Sequence, residues 1–315
     1  MQTIIQCPVC KKALVKHNKH YSCILDNSVD GKHGPLSHQY DVAKEGYVNL
    51  NLNSKVTAGD SKEMMQSRRD FLNLNHYYLI IDSIIQVINT YISTSFIADT
   101  HSADISVINS VASNSETNNE ATHTEPLSIL DIGCGEGYYL DILSKHINKT
   151  IAMDFYGLDI SKIGVKMAAK RTKEVSWLVA NSARLPFLDR SLDVALSIFS
   201  IYTAQEVCRC MKDNGIMMIV RAGENHLLEL REIIYPEIIE KNKSAIYDEA
   251  LFECISEHNI SDKMHIHGQQ SILQLLEMTP HYWKIKQEYK ERLQQREELL
   301  VSIDFKVIVL KKKES

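Results

Sequence analysis

The sequence lacks the roughly 18–20 uninterrupted apolar residues that a membrane-spanning helix requires. Its most apolar helical candidate, from Tyr77 to Ile92, contains Asp82, Gln86 and Asn89. A chain that crosses a membrane by helices is therefore not expected. Met1 to Cys7 has neither a basic patch followed by an apolar run nor a small-residue cleavage site, so no secretory leader is read and the expected compartment is the cytoplasm. Cysteines are too few for a disulfide lattice, seven in 315 residues. An excess of basic charge is also missing: 35 basic against 40 acidic side chains give a net charge of −5, which excludes a protein that coats nucleic acid by bulk electrostatics. There is no internal repeat and no heptad seam.

What charge there is, however, is unevenly placed. Residues 1–25 hold Lys11, Lys12, Lys16 and Lys19 and no acid, so this tip carries +4 and the rest of the chain −9. The same tip holds three of the cysteines. Cys7-Pro8-Val9-Cys10 is a knuckle-type Cys-x2-Cys with Cys23 following, and in a reducing compartment such clustering points to a metal. Three thiolates need one further ligand to close a tetrahedral structural zinc, and His17, His20, His33 and His38 are the candidates. Residues 1–55 are poor in apolar side chains and would struggle to fold without such a staple. A redox role for Cys7 and Cys10, or three merely reduced cysteines, are the competing readings.

Beyond residue 55 the pattern becomes helical. Asp60 and Glu63 form a capping box ahead of Met64, Met65, Phe71 and Leu72. A second helix is expected from His76 to about Ile92, because Ile80, Ile81, Ile84, Ile85 and Ile88 share one face. Residues 93–126 turn to Ser, Thr, Asn and Asp and read as a flexible insertion. Apolar runs then alternate with helical patterns: strands at 128–132, 155–158, 175–179, 194–199 and 216–220, with helices ending near His146, Lys170, Met211 and Tyr235. A strand at 264–267, further helix to Leu300 and a closing strand at 301–310 follow. This rhythm predicts an α/β fold with a mostly parallel sheet covered by helices on both faces. The division expected is a zinc-binding module over 1–55, a helical linker over 56–92, the insertion over 93–126 and a Rossmann-like domain over 127–315.

The most informative local pattern is Asp131-Ile132-Gly133-Cys134-Gly135-Glu136-Gly137, between a strand and a helix. Glycines there let backbone approach a ligand and turn tightly, leaving free N–H groups. Asp159 ends the next strand, 22 residues after Gly137, where a carboxylate can accept hydrogen bonds from both ribose hydroxyls. A nicotinamide fingerprint, Gly-x-Gly-x-x-Gly, spaces its last glycine one residue further. The pattern resembles motif I of the S-adenosylmethionine-dependent methyltransferases, and the stretch from Ala180-Asn181 to Phe187 resembles the segment that borders adenine in that fold.

The two parts together resemble the bacterial large-subunit (23S) ribosomal RNA guanine-N1 methyltransferases of the RlmA type. The resemblance lies in Cys7-Pro8-Val9-Cys10, in the block from His38-Gln39-Tyr40-Asp41 to Leu50, in Gly59-Asp60-Ser61 to Arg68-Arg69, in Asp131 to Tyr139 and in Met278-Thr279-Pro280. It covers nearly the whole chain outside 93–126. It implies His38 as the fourth zinc ligand, although residues 26–37 look like an insertion before it and leave His33 open. It implies cofactor contacts from Tyr77, from Gly135 and Glu136, and from His226, beside those that the wider methyltransferase resemblance implies from Gly133, Asp159 and Asn181. It implies a guanine of a 23S hairpin loop, of the position 745 or 748 class, as methyl acceptor, and dimerisation.

N1 lies on the pairing edge, so the target base must be unpaired or flipped. Lys11, Lys12, Lys16 and Lys19 are candidate phosphate contacts, or else a solvated face. Arg68 and Arg69 either touch RNA or bridge to nearby acids. The segment after the fourth strand, Ser197 to Tyr202, lacks an Asn-Pro-Pro-Tyr motif, which is compatible with a ring-nitrogen target. No residue is assigned as the acceptor of the N1 proton. Two other functions are compatible with the same residues: a small-molecule methyltransferase with an appended zinc module, and a non-catalytic zinc-stapled RNA-binding factor.

Overall fold

The computed structural model describes residues 2–23, 37–52, 60–101, 125–147, 151–237, 245–283 and 285–313, without the side chains of 95–101. Four short strands, β1 (Gln2–Gln6), β2 (Ala13–Lys16), β3 (His20–Cys23) and β4 (Gln39–Asp41), form an antiparallel N-terminal ribbon in that order. The next strand, β5 (Tyr47–Asn49), leaves the ribbon and pairs in parallel with a strand of the main sheet, so the N-terminal segment contributes a strand to the catalytic domain before residue 55.

Two helices follow, α1 (Lys62–Leu72) and α2 (Tyr78–His101). The N-cap of α1 is Ser61, whose hydroxyl accepts from the Met64 N–H at 3.2 Å. The expected cap, Asp60, instead pairs with Arg68 at 2.6 Å. Phe71, Leu72, Ile80, Ile81, Ile84 and Ile88 share one core with the sheet, so residues 60–92 form an integral layer of the catalytic domain rather than a linker. Helix α2 runs nine residues past Ile92. The hydroxyls of Thr90, Ser93 and Thr94 donate to carbonyls one turn back, so polar composition does not stop the helix. Of the expected insertion, 102–124 lies outside the described residues.

The main sheet adds β6 (Leu127–Ile132), β7 (Met153–Asp159), β8 (Val175–Val179), β9 (Leu192–Ile198), β10 (Met211–Ala222), β11 (Phe252–His267) and β12 (Glu298–Lys312). Its order is β11-β12-β10-β9-β6-β7-β8-β5, and only β12 runs against the others. Connections leave β6 toward β7 on one side, while β9 lies on the other, and the crevice at such a switch point is where α/β sheets bind ligands. Helices α3 (Tyr138–His146), α4 (Lys162–Arg171), α5 (Ala204–Cys210), α6 (Leu228–Ile234), α7 (Gln269–Glu277) and α8 (Gln287–Gln294) complete the layers.

The two faces of the sheet are covered differently. One packs against helices, as expected. On the other, the β8–β9 connection contains no helix, and the ribbon fills the space: Ile5, Leu14 and Tyr21 join one apolar cluster with Leu178, Leu185 and Phe187. Backbone bonds fix the seat, from Gln6 N–H to Pro186 O at 2.8 Å and from Leu188 N–H to Ile4 O at 2.9 Å.

Candidate cofactor and metal sites

Gly133 and Gly135 both have positive φ, +79° and +54°, and the two differ in what surrounds them. A Cβ at Gly133 would lie 2.5 Å from Ser200 Cβ, so this glycine lets the turn pack against the chain leaving β9. A Cβ at Gly135 would have only Arg68 Nη1 nearby, at 3.6 Å, so this glycine faces space that a ligand can enter. Asp159 ties the turn to β7. Its carboxylate accepts from Gly135 N–H at 2.9 Å and from Ser161 N–H at 2.7 Å. Burial raises its pKa, opposed by those two N–H groups and by the Arg68 charge. Asp131, on the neighbouring strand β6, is buried and pushed up to about 7 by burial and then by the Asp159 charge.

The remaining expected cofactor residues come to the same edge. Asn181, exposed just beyond β8, accepts from Ala183 N–H at 2.9 Å and shapes the turn there. His226 lies in the turn before α6 rather than within the helix, with Nε2 3.3 Å from the Tyr77 hydroxyl and Nδ1 3.5 Å from the Asp304 N–H. Burial lowers its pKa to about 4, helped by Arg231 and His281, so the ring is neutral at physiological pH. Tyr77, His226 and Phe305 form an aromatic cluster with Phe199, whose φ of +52° at the end of β9 is a strained conformation for a bulky residue. Phe199 and Ile201 stay exposed beside it.

Glu136 is placed differently from its neighbours. Its side chain is fully buried, and Oε2 accepts from Arg69 Nε at 2.9 Å and from Arg171 Nη2 at 2.6 Å, joining α1 and α4 to the glycine turn. Oε2 is thus held by two arginines, while Oε1 is buried without a hydrogen-bond partner among the described residues. Arg69 is accordingly a bridge to an acid. So is Arg68, through Asp60, although its guanidinium stands over Gly135 and reaches the Met278 carbonyl at 3.5 Å. Sequence reasoning had Arg68 either touching RNA or bridging to a nearby acid and gave it no place at the glycine turn.

In the ribbon, one ligand atom each from Cys7, Cys10, Cys23 and His38 lies within 4.8 Å of the others. His38 Nδ1 is 3.6 Å from Cys7 Sγ and 3.3 Å from Cys23 Sγ. A tetrahedral zinc with bonds of about 2.3 Å to sulfur and about 2.0–2.1 Å to nitrogen separates those atoms by roughly 3.6 Å, so the donor set fits the ion. The Tyr40 hydroxyl lies 3.3 Å from Cys7 Sγ and the His38 N–H donates to Cys23 Sγ, the outer contacts that orient ligands. Burial disfavours the Cys7 thiolate, but the Cys10 N–H, the Tyr40 hydroxyl and the Val9 N–H outweigh it and its pKa falls. His17 and His20 are elsewhere: their rings stack 4.4 Å apart and His17 lies 3.0 Å from the Ser22 hydroxyl. His33 lies outside the described residues. Lys11, Lys16 and Lys19 are exposed on the same ribbon.

Residues 5–52 match the family described as RlmA, N-terminal, a zinc ribbon, and residues 130–219 match the family described as methyltransferase domain. The chain is 26% identical over 98% of its length, and 96% of the other's, to a Bacillus subtilis protein named "Putative 23S rRNA (guanine-N(1)-)-methyltransferase YxjB". It is 23% identical over 89% of its length, and 85% of the other's, to the 23S rRNA (guanine(748)-N(1))-methyltransferase of Streptomyces fradiae. The fold is a Rossmann-like methyltransferase domain with a zinc ribbon, the domain uses S-adenosylmethionine, and the ribbon carries a structural zinc site. Among the described residues no helix is long and apolar enough to cross a membrane.

Proposed function

We propose that this chain, a member of the RlmA-type 23S rRNA guanine-N1 methyltransferases, transfers a methyl group to N1 of a guanine in a hairpin loop of large-subunit ribosomal RNA. The observation that carries the reading is the seating of a Cys3His ribbon, with exposed lysines, on the segment after β8 at the edge of a methyltransferase crevice. A free-standing small-molecule enzyme has no need of a basic ribbon there.

In this reading Asp159 accepts from the cofactor ribose, Gly133, Gly135 and the backbone of Glu136 line its path, and Asn181, Tyr77 and His226 border it. Cys7, Cys10, Cys23 and His38 hold zinc. S-adenosylmethionine, when bound, supplies a methyl group on a sulfonium, already an activated leaving group. The chain has to align the acceptor with it and exclude water. Phe199 and Ile201, apolar and exposed at the end of β9, offer an unstacked base a surface to pack on. Lys11, Lys16 and Lys19 contact phosphates, so binding weakens as salt rises. A ribosomal RNA substrate fits a cytoplasmic protein, and the family resemblance suggests a homodimer.

The test is transfer of labelled methyl groups to ribosomal RNA from a strain lacking the enzyme, with the modified base mapped by mass spectrometry. A single N1-methylguanosine in a large-subunit hairpin, lost in Asp159→Ala, is expected. Tight cofactor binding with label entering only small molecules, or nothing, overturns the reading.

A further inference from the structure

Strand β11 ends in His265-Ile266-His267, and β12 begins at Glu298. In the antiparallel ladder His267 pairs directly with Glu298 and His265 with Leu300. Side chains alternate along a strand, so His265, His267 and Glu298 project from one face while Met264, Ile266, Leu299 and Val301 enter the core from the other. Directly opposed and diagonal cross-strand positions are within reach of long side chains.

We propose that His265, His267 and Glu298 form a second metal site, separate from the zinc ribbon, that takes a borderline divalent transition ion such as zinc. One ligand atom from each lies within 4.8 Å of the others. His265 Nε2 and Glu298 Oε2 are 3.1 Å apart, against roughly 3.3 Å for two ligands on a tetrahedral zinc with bonds of about 2.0–2.1 Å. The two imidazole rings have their centroids 4.0 Å apart at 49°, so small rotations aim both at one point. Two imidazoles and one carboxylate favour zinc, nickel or cobalt over magnesium or calcium, which prefer oxygen.

Glu229 and Glu232 line the same concavity as His265 and Glu298 and are balanced by Arg296 and by Lys263, which pairs with Glu229, so the uncompensated negative charge beside an ion is that of Glu298 itself. Three protein ligands leave a coordination position for water, so this site is weaker and more exchangeable than the four-ligand ribbon. The ladder supplies preorganisation, because the register is set by backbone pairing and by the buried face. Just past the site, Gly268 N–H donates to Glu297 O at 2.7 Å and α7 begins. An ion bound there fastens the end of β11 to the start of β12 at the root of α7, whose far end reaches Arg68 through Met278.

The experiment titrates zinc into full-length protein already loaded with one zinc, against a chromophoric chelator, with stoichiometry counted by native mass spectrometry. A second, weaker equivalent is expected, lost in the His265→Ala/His267→Ala double variant and weakened in Glu298→Gln, with the first equivalent retained in both. These side chains are exposed, and circular dichroism checks that the variants fold. Cobalt in the second site should show weak ligand-field bands without thiolate charge transfer. One zinc per chain throughout the titration, a second equivalent that survives the double variant, or thiolate bands from the second cobalt would each overturn the proposal.

Discussion

The Asp159 carboxylate accepts the Gly135 N–H at 2.9 Å, so the residue expected to bind ribose also holds the glycine turn in place. Each charge-assisted hydrogen bond contributes about 1.5–3 kcal/mol. Replacing Asp159 by Ala loosens the turn and, in the proposed role, also removes hydrogen bonds to two ribose hydroxyls, so cofactor affinity should fall about 100-fold or more by calorimetry. Because burial raises the Asp159 pKa, binding should also weaken on acidification sooner than an ordinary carboxylate would dictate. An unchanged dissociation constant in Asp159→Ala would remove this residue from the site.

The ribbon covers a sheet face that has no helix of its own over the β8–β9 connection, so zinc removal should be felt well beyond residue 55. Ile5, Leu14 and Tyr21 are buried there against Leu178, Leu185 and Phe187. Full burial of each such side chain is worth about 1.5–3 kcal/mol. Losing the ribbon therefore costs several kcal/mol, and at about 2–4 °C per kcal/mol the midpoint should drop by about 10 °C or more. A strong chelator should lower one cooperative transition in calorimetry. Two separate transitions, with the upper one unmoved, would show the ribbon to be independent.

Glu136 should matter more to stability than to cofactor affinity. Its buried carboxylate serves Arg69 and Arg171, and removing one partner of a buried ion cluster costs about 3–5 kcal/mol. Glu136→Gln should shift the urea midpoint strongly while leaving the cofactor dissociation constant within about threefold at low temperature. The opposite pattern, intact stability with lost binding, would put the carboxylate on the cofactor.

The catalytic strands were legible because each is a short apolar burst between helical patterns, and β8 falls on Val175–Val179 as the pattern predicts. The glycine turn and Asp159 were legible because spacing alone fixes which strands they end. Strand β11 was visible only at 264–267. Residues such as Glu253, Glu257, His258 and Asp262 face water, and what holds them in the sheet is backbone pairing with β12, which leaves no apolar signature. The ribbon's role as cover was hidden for a related reason: Ile5, Leu14 and Tyr21 are too scattered in sequence to read as one apolar surface until the staple folds them together. The cap at Ser61 shows how adjacent residues compete, since Asp60 next to it is drawn off by Arg68.

His226 gives a pH signature that separates a buried neutral ring from a surface histidine. Its pKa of about 4 lies below the ordinary value of about 6.5, mainly because burial penalises the charged form. A depressed folded-state pKa means that the unfolded chain takes up a proton first. The stability His226 contributes is thus fully present above about pH 6.5 and is lost as pH falls from there toward 4, by on the order of 3 kcal/mol at most. Urea unfolding at pH 7 and pH 4.5 should show that loss in the parent chain and a smaller one in His226→Gln, which keeps a polar group near Tyr77. The same ring, followed by its imidazole resonances in NMR, should stay neutral through pH 5. Titration near 6.5 would mean that the contacts to Tyr77 and Asp304 are open to solvent, and the closed aromatic cluster beside the cofactor edge would then not hold.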